Sequence, residues 1–463
     1  MKVKIQLFTL LLATVILISA GITKQISDWP QFRGPENNMV LEGDFVETWN
    51  ENLNIKWTAP LAGTGWSSPI VNGEKIFITS AFLEKEAPVK AAQTQPAPPQ
   101  NPPSGGNANP QNPPPPPAND NSFMDEIWRW EIACFDANNG KELWKQIARK
   151  GSPKIKKHVG ATYADETPVT NGKVVIACFG MTGIYCYDTN GKLLWEKDLD
   201  AFSTLNGWGT GSSPVLHENW LFIQVDNEES SFIFALDATT GEEKWRAARN
   251  EKTTYATPVV WKNKVRTELV TTGKTARSYD LATGKELWQL QMAGDMSVPS
   301  PVYDDEHIYL GNAGGRGAKG SLYAVKAGAE GNITPPDSGF VSSGVAWSTR
   351  DGGLSNPSPL LHNGLLYLLS GRGGEITCIE ASTGTQIYTN KIEKVGACWA
   401  TPWVCNNKVF FYDEKGNTQV FQAGKEFKVI GQNTLNDKFW ASIAATDNNY
   451  IFKGVEKLYC VGK

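Results

Sequence analysis

Short apolar runs alternate with turns rich in Gly, Asn and Asp along the chain, and one hairpin pattern keeps returning. In YDLATGKELW, Tyr279 to Trp288, an apolar strand end meets Asp280, the turn Thr283-Gly284-Lys285 reverses the chain, and a second short strand ends on Trp288. The pattern recurs at Phe135 to Trp144, Tyr187 to Trp195 and Leu236 to Trp245, and in weaker form at Ile379 to Tyr388. Repetition of one supersecondary unit marks an array whose members cannot bury their apolar faces alone.

A second element alternates with the hairpin. WSSPIVNGEKIFITS, Trp66 to Ser80, runs from a small residue and Pro through an apolar pair and a turn into another strand. It returns in segments that begin at Glu166, Ser212, Ala256, Pro299, Pro357, Ala400 and Ala441. These eight starts define eight units, each reading strand A, turn, strand B, loop, strand C, Gly turn, strand D. Pro214, Pro258 and Pro301 are 44 and 43 residues apart, about one four-stranded blade.

The pattern places the ends of the D strands at Trp144, Trp195, Trp245, Trp288, Trp347, Tyr388 and Phe427, seven positions for eight units. The last unit stops after its third strand at Leu458-Tyr459-Cys460, so Trp57, which stands without a hairpin of its own, supplies the missing outer strand. The expected fold is all-β: an eight-bladed β-propeller of four-stranded antiparallel blades, its ring closed by the N-terminal strand joining the last blade. Closure leaves only short, protected sheet edges.

Two stretches interrupt the repeat. Residues 84–122 form a Pro-, Gln-, Asn-, Gly- and Ala-rich tract with too few apolar groups to offset ordering entropy, and are expected to be a disordered excursion. This insertion separates strand B (Ile76 to Thr79) from strand C (Trp130 to Phe135) of the first blade, on the face that carries the B–C and D–A loops. Ala327 to Ala346 lies between strands C and D of the fifth blade, on the opposite face.

Residues 1–22 carry Lys2 and Lys4, an apolar run from Leu7 to Ile18 and then Ser19-Ala20-Gly21, the layout of a secretory signal, with an uncleaved membrane anchor as the alternative. A lead-in, 23–54, then precedes the propeller, 55–463. The expected location is therefore across the inner membrane, periplasmic or extracellular, with membrane contact only through such an anchor. Net charge is −4 from 44 basic and 48 acidic residues, which leaves no footprint for nucleic acid. Of seven Cys, four (Cys134, Cys186, Cys378 and Cys460) fall at one repeat position that Ala235, Ser278 and Ala324 hold elsewhere. A small side chain between packed sheets is the shared requirement, so structural thiols are expected.

No catalytic triad is recognisable. His217, His307 and His362 occupy A–B turns, and only His158, in KKHVGATYADETP, belongs to the D–A face. Gly273-Lys274-Thr275 follows a strand without opening a helix and has Glu268 where a phosphate loop needs Gly. Asp165 and Glu166 are adjacent on a strand and point to opposite faces, which argues against a paired acid and base.

Superposing the repeats gives a candidate pocket. Three residues before the Pro position of strand A stand Trp66, Asp165, Gly211, Tyr255, Val298, Asn356, Trp399 and Trp440. Blades seven, eight and one are neighbours in a closed ring, so Trp399, Trp440 and Trp66 are expected to form an aromatic arc at one mouth of the axis. The B–C loops of blades four, five and six add Lys274, Arg316 and Arg372, the last two in Gly-rich turns where backbone can approach a ligand. The ligand-binding candidates are Trp66, Tyr255, Trp399, Trp440, Lys274, Arg316 and Arg372, with no catalytic residue and no metal ligand assigned.

The DATTG-type hairpins, the S/T-P starts of strand A and the lead-in WPQFRGP, Trp29 to Pro35, resemble the pyrroloquinoline quinone (PQQ) enzyme repeat of secreted bacterial propellers, similar to the outer-membrane β-barrel assembly factor. The resemblance runs from Asp28 to the C-terminus apart from 84–122. It implies either a quinoprotein dehydrogenase, which holds its quinone between a Trp and a vicinal disulfide beside a Ca²⁺, or a non-enzymatic scaffold. No two Cys are adjacent here, and no lipobox Cys follows the apolar run. The expected function is a non-enzymatic exported scaffold without cofactor that binds an envelope or extracellular protein, a glycan, or a small anionic or aromatic ligand. The alternative is a PQQ-dependent oxidoreductase using PQQ and Ca²⁺.

Overall fold

The computed structural model describes residues 28–85, 122–294, 297–314, 320–336, 339–350 and 352–463. Residues 1–22, expected to be a signal or anchor, most of the Pro-rich insertion and Arg316 lie outside the described residues. Eight sheets form the blades of a ring. Blade 1 pairs Ile70–Asn72, Lys75–Lys85, Ile127–Asp136 and Glu142–Gly151 in sequence order, and blades 2 to 7 repeat this meander. Blade 8 takes Ala444–Thr446, Asn449–Lys453 and Lys457–Val461 from the C-terminus and Ile55–Pro60 from the N-terminus, with Trp57 opposite Cys460. The ring is thus closed as expected.

The tryptophans sit near the beginning of strand D rather than at its end, as Glu142–Gly151 with Trp144 third and Glu286–Gln291 with Trp288 third both show. A register shift just after the small residue of strand C sets the indole opposite it, at Cys134 and Trp144, Cys186 and Trp195, Ala235 and Trp245, and Ser278 and Trp288. Phe427 is a second correction. Strand D of blade 7 is Val429–Thr434, and Gly431 takes the register position opposite Val420, so Phe427 precedes the strand and packs on Tyr388 of blade 6. Strands B and C of blade 1 also reach past their expected limits, to Lys85 and from Ile127. All seven Cys are free and buried.

All of these indoles but one join their blade to the next. Trp57, Trp144, Trp195, Trp245 and Trp347 donate Nε1–H to carbonyls of Ala137, Thr189, Ala238, Leu281 and Ala381, all in C–D hairpins of the following blade, at 2.7 to 3.1 Å. The hairpin Gly is required because a Cβ on Gly140 would run into the Trp57 ring, and Gly140 has φ +72°. Trp288 is the exception: its blade 5 hairpin is replaced by the insertion after Lys326, and its indole donates to the buried Glu268 carboxylate of its own blade at 2.9 Å. That insertion lays Gly331–Asn332 parallel to Trp288 and Gln289 as a fifth strand covering the edge of blade 4.

Around the axis the residue before each Pro position forms a hydroxyl belt. The backbone N–H of Ser68 donates to Thr167 Oγ1, Thr167 to Ser213 Oγ, Ser213 to Thr257 Oγ1, Thr257 to Ser300 Oγ, Ser300 to Ser358 Oγ and Thr401 to Ser442 Oγ, at 2.9 to 3.1 Å. The belt satisfies backbone donors that inner strands cannot pair across the axis.

The lead-in closes the A–B end of the ring. Asp28–Trp29 pairs with the inner strand of blade 1 and Val40–Leu41 with that of blade 7. Between them Pro30 accepts from Thr170 N–H, Gln31 accepts from Leu216 N–H, and Arg33 donates to the carbonyls of Pro301 at 2.6 Å and Pro359 at 3.3 Å. Burial lowers the Arg33 guanidinium to about 9. Gly34, at φ +79°, lies under the Trp29 ring where a Cβ would not fit, which accounts for the Gly of this motif.

Candidate functional site

With the lead-in across one end, the D–A loops frame the other. Trp66 and Trp440 stack there with ring centroids 4.1 Å apart and planes inclined at 24°, both half-buried, and Trp66 Nε1 donates to the Gly160 carbonyl at 2.8 Å. The blade 8 to blade 1 seam therefore brings together the two residues expected to meet. Trp399 does not join them. It is 41% exposed, makes no ring contact with either, and points Nε1 towards Glu414 Oε2 at 3.5 Å, so the three-membered arc is a pair plus a separate indole.

The other candidates are placed individually. Tyr255 is half-buried, its backbone N–H donates to the Ser297 carbonyl and its hydroxyl is buried without a partner. Lys274 is exposed, and its backbone N–H donates to Glu251. Arg372 is exposed on a loop whose backbone bridges to Ala397.

Beneath the mouth lies a layer of buried charge that the repeat pattern did not reveal. Lys453 of blade 8 donates Nζ to the Ser67 carbonyl, the Ser67 hydroxyl and the Thr79 carbonyl at 2.8 to 3.1 Å, and burial lowers its ammonium to about 7. Asp165 accepts from the Thr162 N–H and hydroxyl, and loss of water raises it to about 6. Glu166 turns the other way, accepts from Thr210 Oγ1 at 2.6 Å and is raised to about 7, chiefly by burial and further by Asp165. The two carboxyls thus serve different neighbours, as their adjacency on a strand requires.

Asp226 and Arg249 form a fully buried pair, Nε to Oδ1 2.8 Å and Nη2 to Oδ2 3.1 Å, which Gln224, Thr254, Thr271 and Tyr279 complete with hydrogen bonds. Glu251 and Arg277 pair beside it. A cavity of about 20 Å³, lined by Glu166, Thr210, Gln224 and Asp226, has room for a single water. One sequence signal was available for Lys453: a lysine within NYIFKG at the strand B position that Thr79, Cys178, Gln224, Leu369 and Tyr412 hold in other blades. The A–B face carries a larger groove, about 510 Å³, between the lead-in and blades 5 and 6, lined by Trp29, Glu36, Asn38, Tyr303, Leu361 and His362.

These residues do not fit a quinone held beside a Ca²⁺. Trp66 and Trp440 stack on each other, and neither faces a disulfide. Every Cys is a buried single thiol, and no three His, Cys, Asp or Glu side chains converge as metal ligands among the described residues.

The family model described as outer membrane protein assembly factor BamB matches residues 129–207 and 183–330. Among solved structures the chain resembles BamB from Moraxella catarrhalis, with TM-score 0.52 and 13% identity over 72% of this chain and 89% of that one. It also resembles quinohemoprotein alcohol dehydrogenase ADHIIG from Pseudomonas putida HK5, with TM-score 0.54 and 10% identity over 95% and 81%. Identities this low speak for the fold alone. A curated relative, the tetrathionate hydrolase of Acidithiobacillus ferrooxidans, is 25% identical over 195 residues, which are 39% of this chain and 37% of that enzyme. The matched segment thus spans little more than a third of that relative. The family match covers less than half of the chain, and with the eight blades it marks a β-propeller that resembles the PQQ-like repeat proteins.

Proposed function

We propose that the protein acts by binding, as a non-enzymatic exported scaffold whose D–A mouth receives a protein, a glycan or a small anionic or aromatic ligand. The carrying observation is the Trp66–Trp440 stack, a half-exposed apolar platform above buried charges that are engaged internally. Asp226 is held by Arg249, Glu251 by Arg277, Glu166 by Thr210 and Asp165 by Thr162, so these four carboxyls are engaged within the ring. Amphipathic aromatic surfaces on rigid supports favour association. Tyr255, Trp399, Lys274, Arg316 and Arg372 remain candidate contacts at the same end. Location across the inner membrane rests on residues 1–22, with no nucleic-acid role and no cofactor.

The alternative, a PQQ-dependent oxidoreductase, draws on the dehydrogenase among the structural relatives. Incubation of the protein with PQQ and Ca²⁺, followed by absorbance and dye-linked alcohol and sugar oxidation, separates the two. The binding role predicts no bound quinone and no turnover; stoichiometric quinone uptake with dye reduction would overturn it. In parallel, a thermal-shift screen of anionic, aromatic and glycan ligands is expected to give shifts that Trp440→Ala removes.

A further inference from the structure

The loop between blades 1 and 2 carries the sequence KIKKHVG, Lys154 to Gly160, a basic island on a chain of net charge −4. Three neighbouring cations are neutralised: Arg149 and Lys154 by Asp198, and Lys150 by Glu84. Lys156 and Lys157 are not. Among the described residues no carboxylate lies within ion-pair distance of either; Lys157 Nζ sits 5.8 Å from the Trp128 ring and 5.6 Å from that of Tyr163, and Lys156 Nζ 5.8 Å from Phe123. Aromatic faces hold the ammonium groups in place, and the half-buried Lys157 feels Asp165 and Glu126 only from beyond ion-pair distance.

The loop is rigidly built. His158 N–H donates to the Trp208 carbonyl at 3.1 Å, Ala161 N–H to the His158 carbonyl at 3.0 Å, and Tyr163 hydroxyl to the Ile155 carbonyl at 3.0 Å. Gly207 and Gly209 of the next D–A loop let the backbone pack directly on Lys156 and Lys157. Gly160 N–H donates to His158 Nδ1 at 3.0 Å, so the ring's N–H is on Nε2 in the neutral form and is free to donate outward. At the apex Val159 is 86% exposed, although its backbone is fixed on both sides.

We propose that this knuckle docks an acidic segment of a partner polypeptide, one that sets carboxylates against Lys156, Lys157 and His158 Nε2–H and an apolar side chain against Val159. The inference rests on the binding role and gives it a partner class. Charge complementarity favours an anion, and the exposed valine amid the donors favours a peptide over a glycan. Two cations outside ion pairs are too few for an anionic membrane surface, which calls for clusters of about 4–8.

The test uses the whole protein and an N-acetylated decapeptide of alternating Glu and Leu, its Gln/Leu counterpart, a sulfated oligosaccharide, and vesicles containing phosphatidylglycerol. Fluorescence anisotropy is expected to show binding of the Glu/Leu peptide that falls with salt, drops about tenfold or more in Lys156→Gln/Lys157→Gln and a few-fold in Val159→Ser. The Gln/Leu peptide is expected not to bind. Equal binding by the double variant, or binding of the oligosaccharide or vesicles in place of the peptide, overturns the proposal, as does no peptide binding at all. Trp440→Ala serves as the reference: ligand shifts lost there while the peptide fails to bind would sink the acidic-segment inference and leave the mouth as a binding site.

Discussion

Trp57 and Ala137 stand eighty residues apart, yet the Trp57 indole donates to the Ala137 carbonyl at 2.9 Å across the seam between blade 8 and blade 1. The same bond links blades 1 to 2, 2 to 3, 3 to 4 and 5 to 6, so the seam where the two chain ends meet is made like an ordinary blade junction. A ring closed in this way holds its axial loops in fixed relation, which a binding mouth needs.

Gly140 tests that junction. Gly140→Ala meets both a φ of +72° and the Trp57 ring, whereas Gly73→Ala, at φ +55° with open space around it, meets backbone strain alone. Chemical denaturation is expected to find Gly140→Ala less stable than Gly73→Ala by about 1–3 kcal/mol. In a Trp57→Ala background the excess should vanish; its persistence would mean the indole is not the obstacle.

The hydroxyl belt makes a second prediction. Ser213→Ala leaves the buried Thr167 N–H without its acceptor, 2.9 Å away in the native ring, at a cost of about 1–3 kcal/mol. Ser213→Thr keeps the hydroxyl and should lose little, since Thr fills the same place at Thr167, Thr257 and Thr401. Equal losses in both variants would deny the bond its role.

The buried charges give stability a pH signature. Lys453 titrates near 7 in the fold and 10.5 unfolded, so between these values the unfolded chain binds the extra proton and native stability rises with pH. Relative to Lys453→Met, the native protein should gain up to about 1.4 kcal/mol per pH unit from pH 7 to 10. Glu166 runs opposite: raised from 4.5 to about 7, it keeps its proton longer in the fold, so the native protein should lose stability relative to Glu166→Gln as pH rises through that window. Parallel pH profiles for native and variant proteins would contradict either statement.

The blade count and the closing strand were legible because Trp57 and Cys460 keep the residue types of blades 1 to 5, and packing a large ring against a small side chain constrains sequence at both positions. Trp288 shows where such reading stops. Its residue type is unchanged, but the insertion removes its acceptor and a buried glutamate replaces it, a substitution fixed by tertiary geometry. The mouth was legible by halves. Trp66 and Trp440 follow from repeat position and ring closure, whereas Trp399, at the same repeat position, leans towards Glu414 because side-chain direction is not set by register alone. Lys156, Lys157 and Val159 lie in a loop of no repeat, so no superposition could weigh them.

Ring closure by the N-terminal strand is tested most directly by amide hydrogen exchange on the whole protein. Because Ile55–Pro60 pairs with Lys457–Val461, the two segments should be protected together, to the level of inner blade strands, and should lose protection together in Trp57→Ala. Fast exchange of 55–60 beside a protected 457–461 would contradict the closed ring and, with it, the mouth that Trp66 and Trp440 frame.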